Sequence, residues 1–379
     1  MKLFSLGPRE IHSFERLADF AAEFRPSAKD LVISIHPIYD RYVAKHAADS
    51  PHLLLDDYGS QEPTDEMIDA VLDDARRTPF ERIIAIGGGA VMDVAKVVAV
   101  AGDSSIDDLI DHIADHHRTV GLVLIPTTCG TGSETTEIAA INRTRLGSKA
   151  GISSPEMFAD HAVLIPELLE GLPDHVFATS SMDALVHSVE SVLSPNATPY
   201  TRMFGYAAMR MIVTGYREIT FAGPEGSKER RAKRNELLRD FLIASNYAGI
   251  SFDIGGCAAV HALSYQLGGK YHVPHGESNY AMFTGVLRNY MEIKSDGEIA
   301  VLNSYLAGIL GCDVADVYDR LEALINRLLP KKALHEYGVT RQDLPVFAHR
   351  VITTQQRLMR NCFVPLDEAR VLKIFSELY

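Results

Sequence analysis

Across the first half of the chain, short apolar runs alternate with stretches of helical periodicity, and after about Leu172 that alternation stops. Leu31-Val32-Ile33-Ser34-Ile35, Arg82 to Ile86 and Val120 to Ile125 are compact apolar runs, whereas Glu66 to Leu72 spaces its apolar residues as a helix does. A strand with apolar residues pointing both ways has to be covered on both faces, and helices between successive strands provide that cover. The pattern predicts βαβ units around a parallel sheet. From Asp183 onward the apolar residues recur three and four apart, as in Met182/Leu185/Val186/Val189/Val192 and Val317/Leu321/Leu324/Ile325/Leu328, with no further alternating strand. The expected architecture is an α/β nucleotide-binding domain with a parallel sheet over residues 1–172, then an all-helical domain over 173–379. The two meet near Gly171-Leu172-Pro173.

Composition excludes several classes of function. The 379 residues carry 37 Lys+Arg against 50 Asp+Glu, a formal net charge of −13. Nucleic acids and anionic membranes recruit basic faces, so neither is an expected partner. Cys129, Cys257, Cys312 and Cys362 lie far apart with no Cys-x-x-Cys pair. That is the usage of free thiols in a reducing compartment, not of a disulfide framework or a cysteine zinc site. The longest apolar-looking stretch, Arg82 to Gly102, is broken by glycines, Asp93 and Lys96, whereas a spanning helix needs about 20 apolar residues in succession. Met1 to Pro8 hold no apolar core of secretory length before Arg9 and Glu10. The expected location is the cytoplasm.

Two turns follow predicted strands. Ile83 to Ile86 runs into Gly87-Gly88-Gly89 and then into a helical pattern through Lys96. Bare backbone N–H groups and the positive end of a helix meet there, which suits a pyrophosphate. The spacing departs from the usual dinucleotide fingerprint because Met92 stands at its third glycine position. A tight strand-to-helix turn without a ligand is the plainer reading. The second turn, Pro126-Thr127-Thr128-Cys129-Gly130-Thr131-Gly132-Ser133-Glu134, places hydroxyls and glycines at the end of another strand. Ligands of open α/β sheets bind outside those strand ends. Thr131 with Glu134 also reads as a capping box, and both readings are compatible.

Asp183 and His187 are four apart in a helical stretch and share one face. Downstream lie His261 and His275, separated by Gly268-Gly269 and Pro274, which are expected to end the helix and let the chain turn back. One carboxylate with three imidazoles is a donor set suited to Fe(II) or Zn(II). Against it, Ser180 and Asp183 resemble a capping box, and a histidine among apolar residues is commonly a satisfied core residue. The denser cluster from Asp107 to His117 reads as a solvated helix, since Leu109, Ile110 and Ile113 give it one apolar stripe. The basic run Lys228 to Arg234 likewise reads as a solvated face.

Gly87-Gly88-Gly89-Ala90-Val91-Met92-Asp93-Val94-Ala95-Lys96 resembles the GGGSxxDxAK signature of the iron-containing (group III) alcohol dehydrogenase family. Pro126 to Glu134 resembles its second signature, Asp183 to His187 its metal helix, and His261 with Pro274-His275-Gly276 the remainder of its ligand set. The stretch from His261 to Asn279 and the ending around Gln355-Gln356-Arg357-Leu358 are most similar to the 4-hydroxybutyrate dehydrogenase branch. The resemblance implies a homo-oligomeric (dimeric) dehydrogenase interconverting a short-chain aldehyde and its primary alcohol, succinate semialdehyde and 4-hydroxybutyrate in that branch. It implies NAD, or NADP, with Fe(II) or Zn(II). Asp183, His187, His261 and His275 would hold the metal and Gly87, Gly88 and Gly89 the pyrophosphate, with Asp93 securing their turn. Thr127, Thr128 and Ser133 would line the cofactor, and Lys149 would reach the nicotinamide ribose.

Three departures qualify that reading. Tyr265 stands where many members have a second histidine for proton handling, and its phenol is the expected relay. Ala90 replaces a serine. His36 replaces the NAD-selecting aspartate, which weakens the expected discrimination against NADP. A substrate carboxylate would need a cation, for which Arg357, Lys270 and Tyr271 are the candidates and Arg357 the favoured one. The rivals are a lyase resembling dehydroquinate synthase, and a relic that binds metal or nucleotide without turnover.

Overall fold

In the computed structural model the described residues are 6–59, 62–146 and 148–379, without the side chains of 146 and 148–150. The chain divides into two compact units, one ending at Leu172 and the other beginning at Pro173.

The first unit is built on β1 (Glu10–Ser13), β2 (Asp30–Ser34), β3 (His52–Leu54), β4 (Arg82–Gly87), β5 (Gly121–Pro126) and β8 (His161–Leu164), with β6 (Ile138–Arg143) and β7 (Ser148–Ser153) as a separate antiparallel pair. The six strands are ordered β1-β8-β5-β4-β2-β3 and every neighbouring pair is parallel. The central strands are apolar on both sides and buried on both, as their uninterrupted runs demand. Ile83, Ala85, Leu122 and Leu124 pack in one cluster with Ile68 and Val71 of α1 (Asp65–Ala75) and Val94 and Val98 of α2 (Gly89–Ala101). Burying each such aliphatic side chain contributes about 1.5–3 kcal/mol. From β2 the chain steps one way to β3 and from β4 the other way to β5, so the strand order reverses between β2 and β4. A ligand crevice belongs at the carboxyl ends on either side of such a reversal.

The second unit is helical. At its centre lies α3 (Asp174–Leu193), surrounded by α4 (Pro199–Ala222), α5 (Leu238–Gly255), α6 (Ala259–Tyr271) and α7 (His275–Ile293). The sequence suggests a helix with one polar face, but α3 is buried on every side from Ser181 to Leu193. Small residues permit this. A Cβ at Gly276 would fall 1.8 Å from the Thr179 carbonyl oxygen, so only glycine lets α7 cross α3 that closely.

Three local expectations are corrected. Gly268 and Gly269 do not end α6, which runs on to Tyr271 and stops where His272 turns left-handed at φ 56° ahead of Pro274. Thr131 and Glu134 cap no α-helix, because only a short 3-10 turn, Ser133–Thr135, forms there. Arg234 does not face solvent: it is buried and pairs with Asp174 at 2.6 Å.

Candidate functional site

α3 presents Asp183 and His187 one turn apart, α6 presents His261, and His275 is the first residue of α7. Asp183 Oδ1 lies 3.4 Å from His261 Nε2, 3.4 Å from His275 Nε2 and 3.7 Å from His187 Nε2. A tetrahedron with metal–ligand bonds of about 2.1 Å has edges of about 3.4 Å, so the spacing suits one cation. Asp183, His187 and His261 are buried, while the His275 side chain is 44% exposed, so the group meets solvent at His275.

Asn279 tests the fit. Its Nδ2 lies 2.8 Å from Asp183 Oδ1, 3.2 Å from His261 Nε2 and 3.3 Å from His275 Nε2. Its Oδ1 is buried without a hydrogen-bond partner. One amide nitrogen caught among three acceptor atoms, with an orphaned oxygen behind it, marks a place better filled by a cation. Electrostatics agree. Burial pushes the Asp183 carboxyl up, but His187, His275 and the hydrogen-bonded His261 overcome it and hold it well below the usual carboxylate range. Burial pushes the His187 imidazole down, and Asp183 more than restores it. Cys257 stands beside both His187 and His261. Burial raises its thiol, yet the two imidazoles bring it down to about 7.

In the first unit, Gly87 ends β4, Gly88 precedes α2 and Gly89 opens it. Gly87 pairs with Pro126 across the sheet, and Thr127 N–H donates to the Gly87 carbonyl at 2.9 Å, so the two turns lie side by side. A Cβ at Gly89 would come 2.7 Å from Thr131, whereas one at Gly88 would meet only Thr128, at 3.8 Å. Gly89 is therefore fixed by packing. Gly88 has room and an ordinary backbone conformation, so its lack of a side chain is left for a ligand to explain.

Residues 10–166 match a family model described as iron-containing alcohol dehydrogenase, and residues 177–379 match the C-terminal model of the Fe-containing alcohol dehydrogenase family. The chain belongs to the iron-containing alcohol dehydrogenase family. It is 40% identical to 4-hydroxybutyrate dehydrogenase of Clostridium kluyveri over 379 residues, all of both chains. It is 32% identical to a sulfoacetaldehyde reductase of Bilophila wadsworthia over 79% of this chain and 77% of that one. In fold it matches the sulfoacetaldehyde reductase of Bifidobacterium kashiwanohense in complex with NAD+, with TM-score 0.84 at 22% identity over 99% and 98% of the two chains. Membership places this iron-containing alcohol dehydrogenase among oxidoreductases rather than lyases. Among the described residues no single helix is long and apolar enough to cross a membrane.

Several other expected residues sit differently from the sequence reading. The Ser133 hydroxyl, expected to line the cofactor, is engaged within the protein: Oγ donates to Asp93 at 2.6 Å and accepts from Lys96 Nζ at 2.7 Å. Fully buried Lys96 also donates to Thr136 Oγ1 and the Ile138 carbonyl, so this trio braces the second turn from below. Asp93 completes the brace by accepting from Ala140 N–H at 2.9 Å. Thr127 is buried and Thr128 half-buried beside Gly88. The Lys149 side chain lies outside the described residues.

His36 follows β2, as expected, yet carboxylates surround it. Its N–H donates to Asp56 at 3.1 Å, its Nε2 lies 3.1 Å from Asp57, and its Nδ1 lies 3.6 Å from Asp40. The Asp57 hydrogen bond raises its pKa. Asp56 and Asp57 escaped the sequence reading because β3, which carries them there, is only three residues long.

Tyr265 is half-buried with its ring 5.9 Å from that of His275, and burial pushes its phenol up. Lys270 and Tyr271 both bind Asp343, so each already has a carboxylate partner within the protein. Arg357 is exposed on the short helix Gln356–Met359, which packs on α6, and its charge is felt at the Tyr265 hydroxyl. Among the described residues its guanidinium has no hydrogen bond or ion pair.

Proposed function

We propose that this chain interconverts 4-hydroxybutyrate and succinate semialdehyde by hydride transfer with NAD and a divalent metal, Fe(II) in preference to Zn(II). The observation that carries this reading is the convergence of three imidazole Nε2 atoms on one oxygen of Asp183, in a chain 40% identical throughout its length to a 4-hydroxybutyrate dehydrogenase. Asp183, His187, His261 and His275 are the proposed ligands. A metal there supplies Lewis acidity to the reacting oxygen, stabilising negative charge as it develops.

The chain's own residues supply the rest. Gly88 and the N-terminal N–H groups of α2 receive the pyrophosphate, with Gly87 and Gly89 shaping the turn, Asp93 and Ser133 bracing it and Thr127 and Thr128 beside it. Lys149 is proposed for the nicotinamide ribose. Tyr265, kept protonated by burial, holds a proton beside His275 for the substrate oxygen in the reductive direction. Arg357 meets the substrate carboxylate, since a charge taken from water needs a partner and a guanidinium can bind it bidentately. The carboxylates of Asp56 and Asp57 take the place of the absent aspartate at position 36 and favour NAD over NADP.

We further take the enzyme to be a cytoplasmic homodimer, a reading that its four free cysteines support for the compartment. The deciding experiment supplies Fe(II) or Zn(II), NADH or NADPH, and a panel of aldehydes to the purified protein. Net cofactor oxidation led by succinate semialdehyde is expected. No net oxidation with any aldehyde would leave a binding relic in its place.

A further inference from the structure

Glu190 lies on α3 two turns beyond Asp183, on the same side as His187. It is buried at 4% exposure among apolar residues, where an ionised carboxylate must be fully satisfied. Three donors satisfy it. Glu190 Oε2 accepts from Ala258 N–H at 2.9 Å and from His261 Nδ1 at 2.6 Å, and Oε1 accepts from Val260 N–H at 2.6 Å.

These partners have different consequences. Ala258 and Val260 open α6, whose first turn has no side-chain cap of its own. A helix start leaves N–H groups without partners, and Glu190 supplies the acceptor from across the bundle. His261 is the more telling partner. A carboxylate at Nδ1 requires the proton to reside there, which leaves the lone pair on Nε2, the atom that faces Asp183 and His275. The same carboxylate thus fixes both where α6 begins and which nitrogen of its first functional residue is free.

We infer that Glu190 is a positioning residue for metal binding, holding His261 in the Nδ1–H tautomer with its ring aimed at the ligand group. This rests on the metal reading above. The alternative is an anchor for the 256–260 segment with no bearing on the metal.

Glu190→Gln separates the two. It keeps the shape but turns one acceptor into a donor, so at least one of the three bonds is lost. The zinc dissociation constant, measured by competition with a chromophoric chelator, is expected to rise about 10- to 100-fold, while the NADH dissociation constant stays at the parent value. A structural anchor alone would lower the melting temperatures of metal-free and zinc-loaded protein alike and leave zinc affinity unchanged. That result overturns the inference.

A second measurement needs no variant. In zinc-loaded protein labelled with 15N-histidine, His261 should show a solvent-protected proton on Nδ1, and a proton on Nε2 would overturn the inference equally. Failure of the metal reading looks different, because the parent itself would then bind no zinc.

Discussion

The helical unit and the α/β unit build their candidate sites from opposite materials. The candidate metal group is made of side chains from three helices, buried except at His275, whose polar atoms depend on one another for satisfaction. The candidate nucleotide turn is made of backbone, with glycine at its apex and a Lys96–Ser133–Asp93 brace beneath the turn beside it. A buried network is all-or-nothing, since removing one member strands the rest in low dielectric. A backbone cradle can lose ligand affinity while its fold stays intact, because the N–H groups remain in place.

The largest effect should therefore come from the metal group. His275→Ala removes the exposed member of the proposed ligand set, and with it most of the Lewis acidity that set would supply. Activity is expected to fall on the order of a thousandfold, given that such stabilisation is worth several kcal/mol. Elemental analysis should find the metal gone, while the NADH titration is unmoved. Chelation of the parent should reproduce both results reversibly. His112→Ala, in the exposed Asp/His-rich helix, should change neither. Full metal content in His275→Ala would break the contrast at its root.

Gly88→Val probes the cradle. The branched side chain fits against Thr128 but intrudes where phosphate would approach, so the NADH dissociation constant should rise about tenfold or more with the melting temperature nearly unchanged. Gly89→Val should instead unfold or destabilise the first unit, because its Cβ collides with Thr131. Equal NADH affinity in Gly88→Val and parent would reduce the turn to a packing device.

The same contrast governs what could be read from sequence. β2, β4 and β5 announce themselves because a strand buried on both faces must be apolar throughout. β1 has no such signature: it lies at the sheet edge, and Glu10-Ile11-His12-Ser13 is largely exposed. The glycine and hydroxyl turns are contiguous, so their chemistry is visible in ten residues. Asp183 and His187 are visible as a helical pair. Asn279 and Glu190 escape a sequence reading because nothing adjacent in sequence gives them a role. Each acquires one only where α3, α5, α6 and α7 meet. The Ser133 bonds are hidden for a related reason: a hydroxyl in a loop gives no sign in the sequence that a fully buried lysine donates to it.

Arg357 tests whether the helical unit also sets substrate choice. Succinate semialdehyde and butyraldehyde share a chain length and differ in the carboxylate. The acid should lead in kcat/KM by more than about tenfold, the worth of a charge-assisted contact of about 1.5–3 kcal/mol. Arg357→Ala should remove most of that lead by acting on the acid alone. Equal rates for the two aldehydes in the parent would refute the 4-hydroxybutyrate assignment and leave a general alcohol dehydrogenase.

The smallest effect belongs to the open rim of the α/β unit, where charges act through solvent. Asp40, Asp56 and Asp57 surround His36, so negative charge already stands at the end of β2 without an aspartate at 36. A 2′-phosphate placed there meets those carboxylates, whereas a ribose 2′-hydroxyl can donate to one. All of them are exposed and screened, so each is worth only a fraction of a kcal/mol to about 1 kcal/mol. Asp57→Asn should thus move the NADH-to-NADPH ratio of kcat/KM toward NADPH by only a few-fold, and less at high salt. His36→Asp should move it the other way. Fluorescence titration of the two cofactors without substrate should show the same shifts in affinity. If His36→Asp shifts the ratio while Asp57→Asn leaves it unmoved, the neighbouring carboxylates do not reach the ribose and selectivity rests on position 36 alone. If neither shifts it, the ribose does not lie at the end of β2.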